Sequence, residues 1–178
     1  MITYNYLQDN RTNDTYRKFI EAGVQNQRIA ITQLIKDWEE LGYKITAKWL
    51  DQNTTFQTAL TGIEGYKPDL ELTFITPYGN IKRRNYEVKV TDHEPGEFID
   101  IKDYQVDQLD NKFKGSYLFY STPSKYFSIP IHEIKRKCDK VVSQKIGGKI
   151  CYRLWTPGLY DLWKRYSDYL NLVPYPKR

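Results

Sequence analysis

The stretch "KPDLELTF", Lys67 to Phe74, and the stretch "NYEVKV", Asn85 to Val90, decide how this chain is read. Side chains alternate between the two faces of a strand. In the first stretch Asp69, Glu71 and Thr73 therefore share one face, and Leu70, Leu72 and Phe74 share the other. In the second, Glu87 and Lys89 lie opposite Tyr86, Val88 and Val90. Pro68 opens the first strand, which runs to Ile75, and "TPYGN", Thr76 to Asn80, supplies the turn into the second, which ends near Thr91. Paired as a hairpin, the two strands lay their apolar faces on a core and gather the acids and Lys89 on the opposite face. A carboxylate taken out of water is costly unless it is paired or binds a cation. The gathered acids therefore call for a positive partner.

Two or three carboxylate oxygens completed by water suit Mg²⁺, above all when a substrate phosphate fills its shell. A lysine beside such an ion can orient a water or steady developing negative charge. Asp, Glu and Lys in this arrangement are the parts needed for metal-assisted hydrolysis of a phosphodiester.

Outward from the hairpin, Asn13 or Asp14 caps a helix that runs to about Leu41 and stops at Gly42. Its apolar stripe reads Ile20, Val24, Ile31, Leu34, Trp38 and Leu41, with polar Gln27 in one stripe position and Gly23 a point where the helix could break or kink. "YKITAKWL" reads as a strand, and the polar segment from Asp51 to Lys67 as a long loop of the kind that often carries function. "TDHEPGE" is a loop, "DYQVDQLDNKF" a helix capped by Asp103, and "SYLFYST" and "YFSIP" are two short strands. A helix from Ile131 to about Val142 and another within "GLYDLWKRYSDYL" complete the expected elements. There is no internal repeat or linker, so residues 1–178 read as one domain with a core over about 14–130 and a basic, aromatic extension over 131–178.

The composition fits a globular chain: 178 residues with 40% hydrophobic, 16 Tyr and 4 Trp. No run is long enough to span a bilayer, and "MITYNYLQDN" lacks a signal peptide's basic start and apolar stretch, so the expectation is a soluble, intracellular (cytoplasmic) protein with no membrane partner. Cys138 and Cys151, with His93 and His132, match no zinc spacing. The net charge of +5 is unevenly spread: residues 1–111 carry 13 Lys and Arg against 18 Asp and Glu, and residues 112–178 carry 14 against 4. A basic half suits a polyanionic partner.

The pattern Pro68-Asp69 followed by Glu87-Val88-Lys89 resembles the PD-(D/E)XK nuclease superfamily, and the αβββαβ element order around it extends the resemblance over about residues 14–130. It looks most like the small Holliday junction resolvases and phage nucleases of that superfamily. The resemblance implies a restriction-endonuclease-like α/β fold, a mixed central sheet flanked by helices, and a Mg²⁺-dependent endodeoxyribonuclease, with Mn²⁺ able to substitute. DNA, duplex or branched, is the implied partner, and a homodimer suits two-fold symmetric DNA. Asp69 and Glu87 would be metal ligands with the Val88 carbonyl a third, and Lys89 the catalytic lysine. Many members add a Glu from the first helix. Here Gln27 stands in its place with Glu21 nearby, which points to one strongly held ion. Gln105 matches a Gln on the second core helix that supports the lysine or a backbone phosphate, with Tyr104 and Gln108 as neighbours.

Set against this, cross-strand Glu–Lys pairs are common on half-exposed sheets, Glu71 reads as a solvated strand residue, and Gln27 equally as a buried amide satisfied by backbone. The basic clusters Lys82, Arg83, Arg84 and Lys135, Arg136, Lys137 each read singly as solvated surface and jointly as phosphate contacts. The terminal Tyr and Trp residues read as core or dimer-interface groups before base-stacking platforms. The competing functions are a non-catalytic DNA-binding or recombination accessory module with the same fold, and a ribonuclease.

Overall fold

A computed structural model describes residues 13–50 and 67–177 of the chain. The expected loop from Asp51 to Lys67 lies outside them except for Lys67. The first element, α1 (Asn13–Glu40), is a single helix that passes through Gly23 without a break. It ends at Gly42, whose φ of +87° only glycine adopts without strain and whose N–H reaches the Glu39 carbonyl at 2.9 Å. Its buried positions are Ala22, Asn26, Ala30, Ile31 and Leu34, while Val24 and Leu41 of the expected stripe are exposed. The stripe is rotated because two different surfaces cover it. Ile31 and Leu34 meet the sheet, whereas Asn26 meets the C-terminal segment, and Tyr175 lies over Gly23.

Strands β1 (Lys44–Trp49), β2 (Leu70–Ile75) and β3 (Ile81–Val90) form an antiparallel meander, with Glu71 opposite Asn85 and Leu70 opposite Tyr86. The chain then crosses through β4 (Phe98–Lys102) and α2 (Asp103–Lys112) to β5 (Tyr117–Ser121), which pairs parallel to β3. An antiparallel hairpin needs only a tight turn, but a parallel neighbour needs such a crossover. β6 (Lys125–Pro130) follows antiparallel to β5, and the sheet order is β1-β2-β3-β5-β6-β9, where β9 is Lys164–Arg165. The fold is mixed α/β. No helix among the described residues is long and apolar enough to cross a membrane.

Both faces of the sheet are covered. Leu70, Leu72, Tyr86, Val88, Val90, Phe119 and Tyr126 pack against Ile31 and Leu34 of α1. On the other face Leu118, Tyr120, Phe127 and Ile129 pack against Val106 and Leu109 of α2 and against Ile134 of α3 (Ile131–Lys137). The hairpin's acid-bearing face is therefore not a free surface, because a second core adjoins it.

Three expectations need correction. The helix from Ile131 ends at Lys137, since Cys138 is already extended and Asp139–Ser143 forms β7, paired with β8 (Lys149–Trp155). With β4 these strands make a separate three-stranded sheet, order β4-β8-β7, that the sequence reading passed over. No helix forms in "GLYDLWKRYSDYL", which folds as a 3-10 turn at Thr156–Leu159 and the short β9. Trp163 packs edge-on against Phe127 on one side of β6 while Tyr166 packs on Tyr126 on the other. A helix places residues three apart on one face, so it cannot serve both cores.

The tail after Tyr166 straps α1 to the sheet. The fully buried Asn26 amide donates to the Val173 carbonyl at 2.9 Å and accepts from its N–H at 2.7 Å. The Tyr175 hydroxyl donates to the Val90 carbonyl at 2.8 Å. Asn26→Ala strands both Val173 backbone groups and is expected to cost about 2 kcal/mol, read as a lower urea midpoint with an unchanged slope.

Candidate active site

The site grows from a mismatch in strand length. β2 begins at Leu70, opposite Tyr86, while β3 continues to Val90. On that side Val88 has no strand partner, and an unpaired backbone N–H or carbonyl inside a protein is costly. Two side chains take the strand's place. Asp69, just before β2, accepts the Val88 N–H on Oδ2 at 2.7 Å. Gln27 of α1 donates its amide to the Val88 carbonyl at 3.0 Å. Asp69 is itself held by backbone: its N–H donates to the Tyr86 carbonyl at 3.0 Å, and its carbonyl accepts from Leu50 at 2.9 Å.

Glu87 and Lys89 lie beside Leu118 and Tyr120, their register partners on β5, at the margin of the second core. The Lys89 ammonium donates to Glu87 Oε1 at 2.6 Å, and the Glu87 side chain is only 3% exposed against 32% for Lys89. Among the described residues nothing donates a hydrogen bond to the other, buried oxygen, Glu87 Oε2. Burial acts to lower the pKa of Lys89, but the charges of Glu87 and Asp69 outweigh it and hold the amine above its ordinary range. The lysine is thus kept charged.

The structure brings together Asp69, Glu87, Val88, Lys89 and Gln27, and Tyr104 is near enough to act on the charge of Lys89. Gln27 serves as an amide that satisfies the Val88 carbonyl, on the residue whose N–H Asp69 takes. Gln105 and Gln108 are half-buried on α2, and neither side chain hydrogen-bonds to another described residue. Glu21 is exposed and acts on Lys18 instead. Glu71 stands opposite Asn85 across the hairpin and opposite Lys48 on β1. No group of three or more His, Cys, Asp or Glu side chains gathers among the described residues.

The basic clusters are set apart. Lys82 and Arg83 are exposed at the turn end of β3, five and four residues from Glu87, or roughly 17 and 13 Å at the rise of a strand. Arg84 lies over the Tyr117 ring at 4.6 Å. On α3, Lys135 faces Asp110 and Asp107, and Arg136 and Lys137 both face Glu133, whose carboxyl they hold down at about 2. Exposed pairs of this kind are weak and open to exchange for another anion. The sequence reading missed Lys102, the last residue of β4, whose amine feels the charges of Lys89 and Glu87. It sits in no motif, and only the unforeseen strand β4 carries it there.

No family model, no curated protein and no solved structure matches the chain. The functional reading therefore rests on the chemistry of the site.

Glu87→Gln removes the charge that contributes most to holding the Lys89 ammonium. The amine should then titrate at a lower pH than in the wild type, followed through its side-chain carbon shift by NMR. An unchanged titration would show that the pair does not hold the charge.

Proposed function

We propose that the protein is a divalent-metal-dependent endonuclease that hydrolyses phosphodiester bonds in DNA, built on a restriction-endonuclease-like core. The observation that carries this reading is the buried Glu87, with one oxygen on Lys89 and the other without a donor among the described residues, beside Asp69 where β2 and β3 part. A structural ion pair gives no reason to leave Oε2 stranded, because a buried carboxylate without full hydrogen bonding is costly. A hard cation satisfies it. The Val88 carbonyl accepts one bond from Gln27 and keeps a second lone pair. Asp69, Glu87 and the Val88 carbonyl would then hold the ion, an all-oxygen set suited to Mg²⁺ or Mn²⁺.

When bound, the ion supplies Lewis-acid polarisation of the phosphate and a lowered pKa for the attacking water. The chain's own groups do the rest. Lys89 keeps its positive charge beside the carboxylates, placed to steady the negative charge that develops on the phosphate oxygens. Asp69 and Gln27 fix the backbone of Val88 from two sides, so that its carbonyl and the flanking Glu87 and Lys89 need little rearrangement. A second reading, a DNA-binding module without catalysis, is favoured by one observation: Lys89 and Gln27 already occupy Glu87 Oε1 and the Val88 carbonyl.

The two readings part on incubation with supercoiled plasmid and a synthetic four-way junction, in Mg²⁺ and in chelator. Cleavage in Mg²⁺ alone is expected. Asp69→Asn keeps an acceptor for the Val88 N–H but loses the charge, so cleavage should fall roughly a hundredfold or more with the melting temperature little changed. Binding without cleavage at any metal concentration would leave the accessory-module reading.

Gln27→Glu tests the other side of the site. An ionised Glu cannot donate to the Val88 carbonyl, so the metal-free variant should melt below the wild type. Hard cations prefer carboxylate to amide oxygen, so calorimetric titration with Mn²⁺ should show tighter binding. Equal melting temperatures and equal affinities would make Gln27 a core residue only.

A further inference from the structure

The small β4-β8-β7 sheet carries two neighbouring lysines that no motif predicts, and one of them, Lys102, reaches the charges of the site. Lys102 ends β4 opposite Cys151, and Lys149 precedes Cys151 by two residues on β8. The two lysines are therefore diagonal neighbours on one face, with Cβ atoms roughly 7 Å apart. Lys102 is half-buried and Lys149 exposed. Neither forms an ion pair with a described residue, whereas Lys135, Lys140 and Arg153 nearby in the chain all face aspartates. The Lys102 amine also feels the charges of Lys89 and Glu87. Lys102 thus stands between Lys149 on one side and the Lys89–Glu87 pair on the other, and Glu87 Oε1 is already taken by Lys89.

We propose that Lys102 and Lys149 form a phosphate subsite beside Asp69, Glu87 and Lys89, which holds the non-bridging oxygens of a nucleic-acid phosphodiester flanking the one to be cleaved. The subsite rests on the nuclease reading and adds to it the groups that position the strand. Like charges held together without an anion oppose folding, and a polyanionic ligand relieves that opposition. Burial and the Lys149 and Lys89 charges pull the Lys102 amine down to about 8, in keeping with a cation that lacks its partner. Lys135, Arg136 and Lys137, by contrast, each face a carboxylate.

The test is binding of a fluorescein-labelled 30-base-pair duplex in chelator, so that cleavage plays no part, by wild type, K102M/K149Q and the charge-matched K44Q/K48Q on β1. Loss of one phosphate contact should weaken K102M/K149Q about tenfold and flatten the slope of log affinity against log salt by about 1. K44Q/K48Q should change affinity by less than about threefold. K102M alone should melt above the wild type, because it removes a like charge from a crowded site; a structural lysine predicts the reverse. Wild-type affinity in K102M/K149Q, an equal loss in K44Q/K48Q, or a lower melting temperature in K102M would each overturn the proposal. If wild type cleaves DNA while K102M/K149Q binds normally, only the subsite falls. If wild type never cleaves but the lysine variants lose affinity as expected, the nuclease reading falls and the phosphate subsite stands.

Discussion

The structure around the site depends on what happens to the backbone of Val88. β3 outruns β2, so one residue in the middle of the sheet has an N–H and a carbonyl with no strand beside them. Leaving them bare would cost as much as a lost hydrogen bond each. Asp69 answers the first and Gln27 the second. That requirement draws a carboxylate from the hairpin and an amide from α1 to one point, next to the buried Glu87. The gap in the sheet and the candidate site are the same feature.

Holding that point together takes both ends of the chain. α1 carries Gln27, and the neighbouring Asn26 is locked to Val173 by two hydrogen bonds. Two residues further on, Tyr175 reaches the Val90 carbonyl at the end of β3. The C-terminal segment therefore fixes helix and strand relative to each other on the side where the site opens. On the other face, α2, α3 and the small sheet bury Leu118 and Tyr120 next to Glu87 and Lys89. Glu87 is deprived of water by this second core, which makes its ion pair matter more than a pair on an open sheet would.

Charge is distributed in space differently from its distribution along the chain. The basic second part of the sequence folds back on the acidic first part: Lys135 and Lys140 face Asp103, Asp107 and Asp110, and Arg153 takes Asp100 in a two-pronged bond. Part of the asymmetry that suggested a broad polyanion-binding half is taken up in these contacts.

The sequence by itself determined the first helix, the hairpin and its facing, and the cluster of Asp69, Glu87 and Lys89. These follow from periods of 3.6 and 2 residues and from one tight turn, all of them local. It singled out Gln27 as the polar residue in a helical stripe, and only the resemblance, in which a Glu often stands there, suggested a role at the site. It did not reveal that β3 is paired on its far side by β5, nor that "FIDIK" and "KICYRLW" are strands, nor that the aromatic tail is a strap. A short apolar run reads alike as helix or strand until a neighbour offers hydrogen bonds. Trp163 and Tyr166 are sent to opposite sides of β6 by two cores that exist only once the sheet has formed. The burial of Glu87 and the approach of Lys102 belong to the same class: both depend on residues dozens of positions away, and only tertiary packing sets the distances on which their chemistry rests.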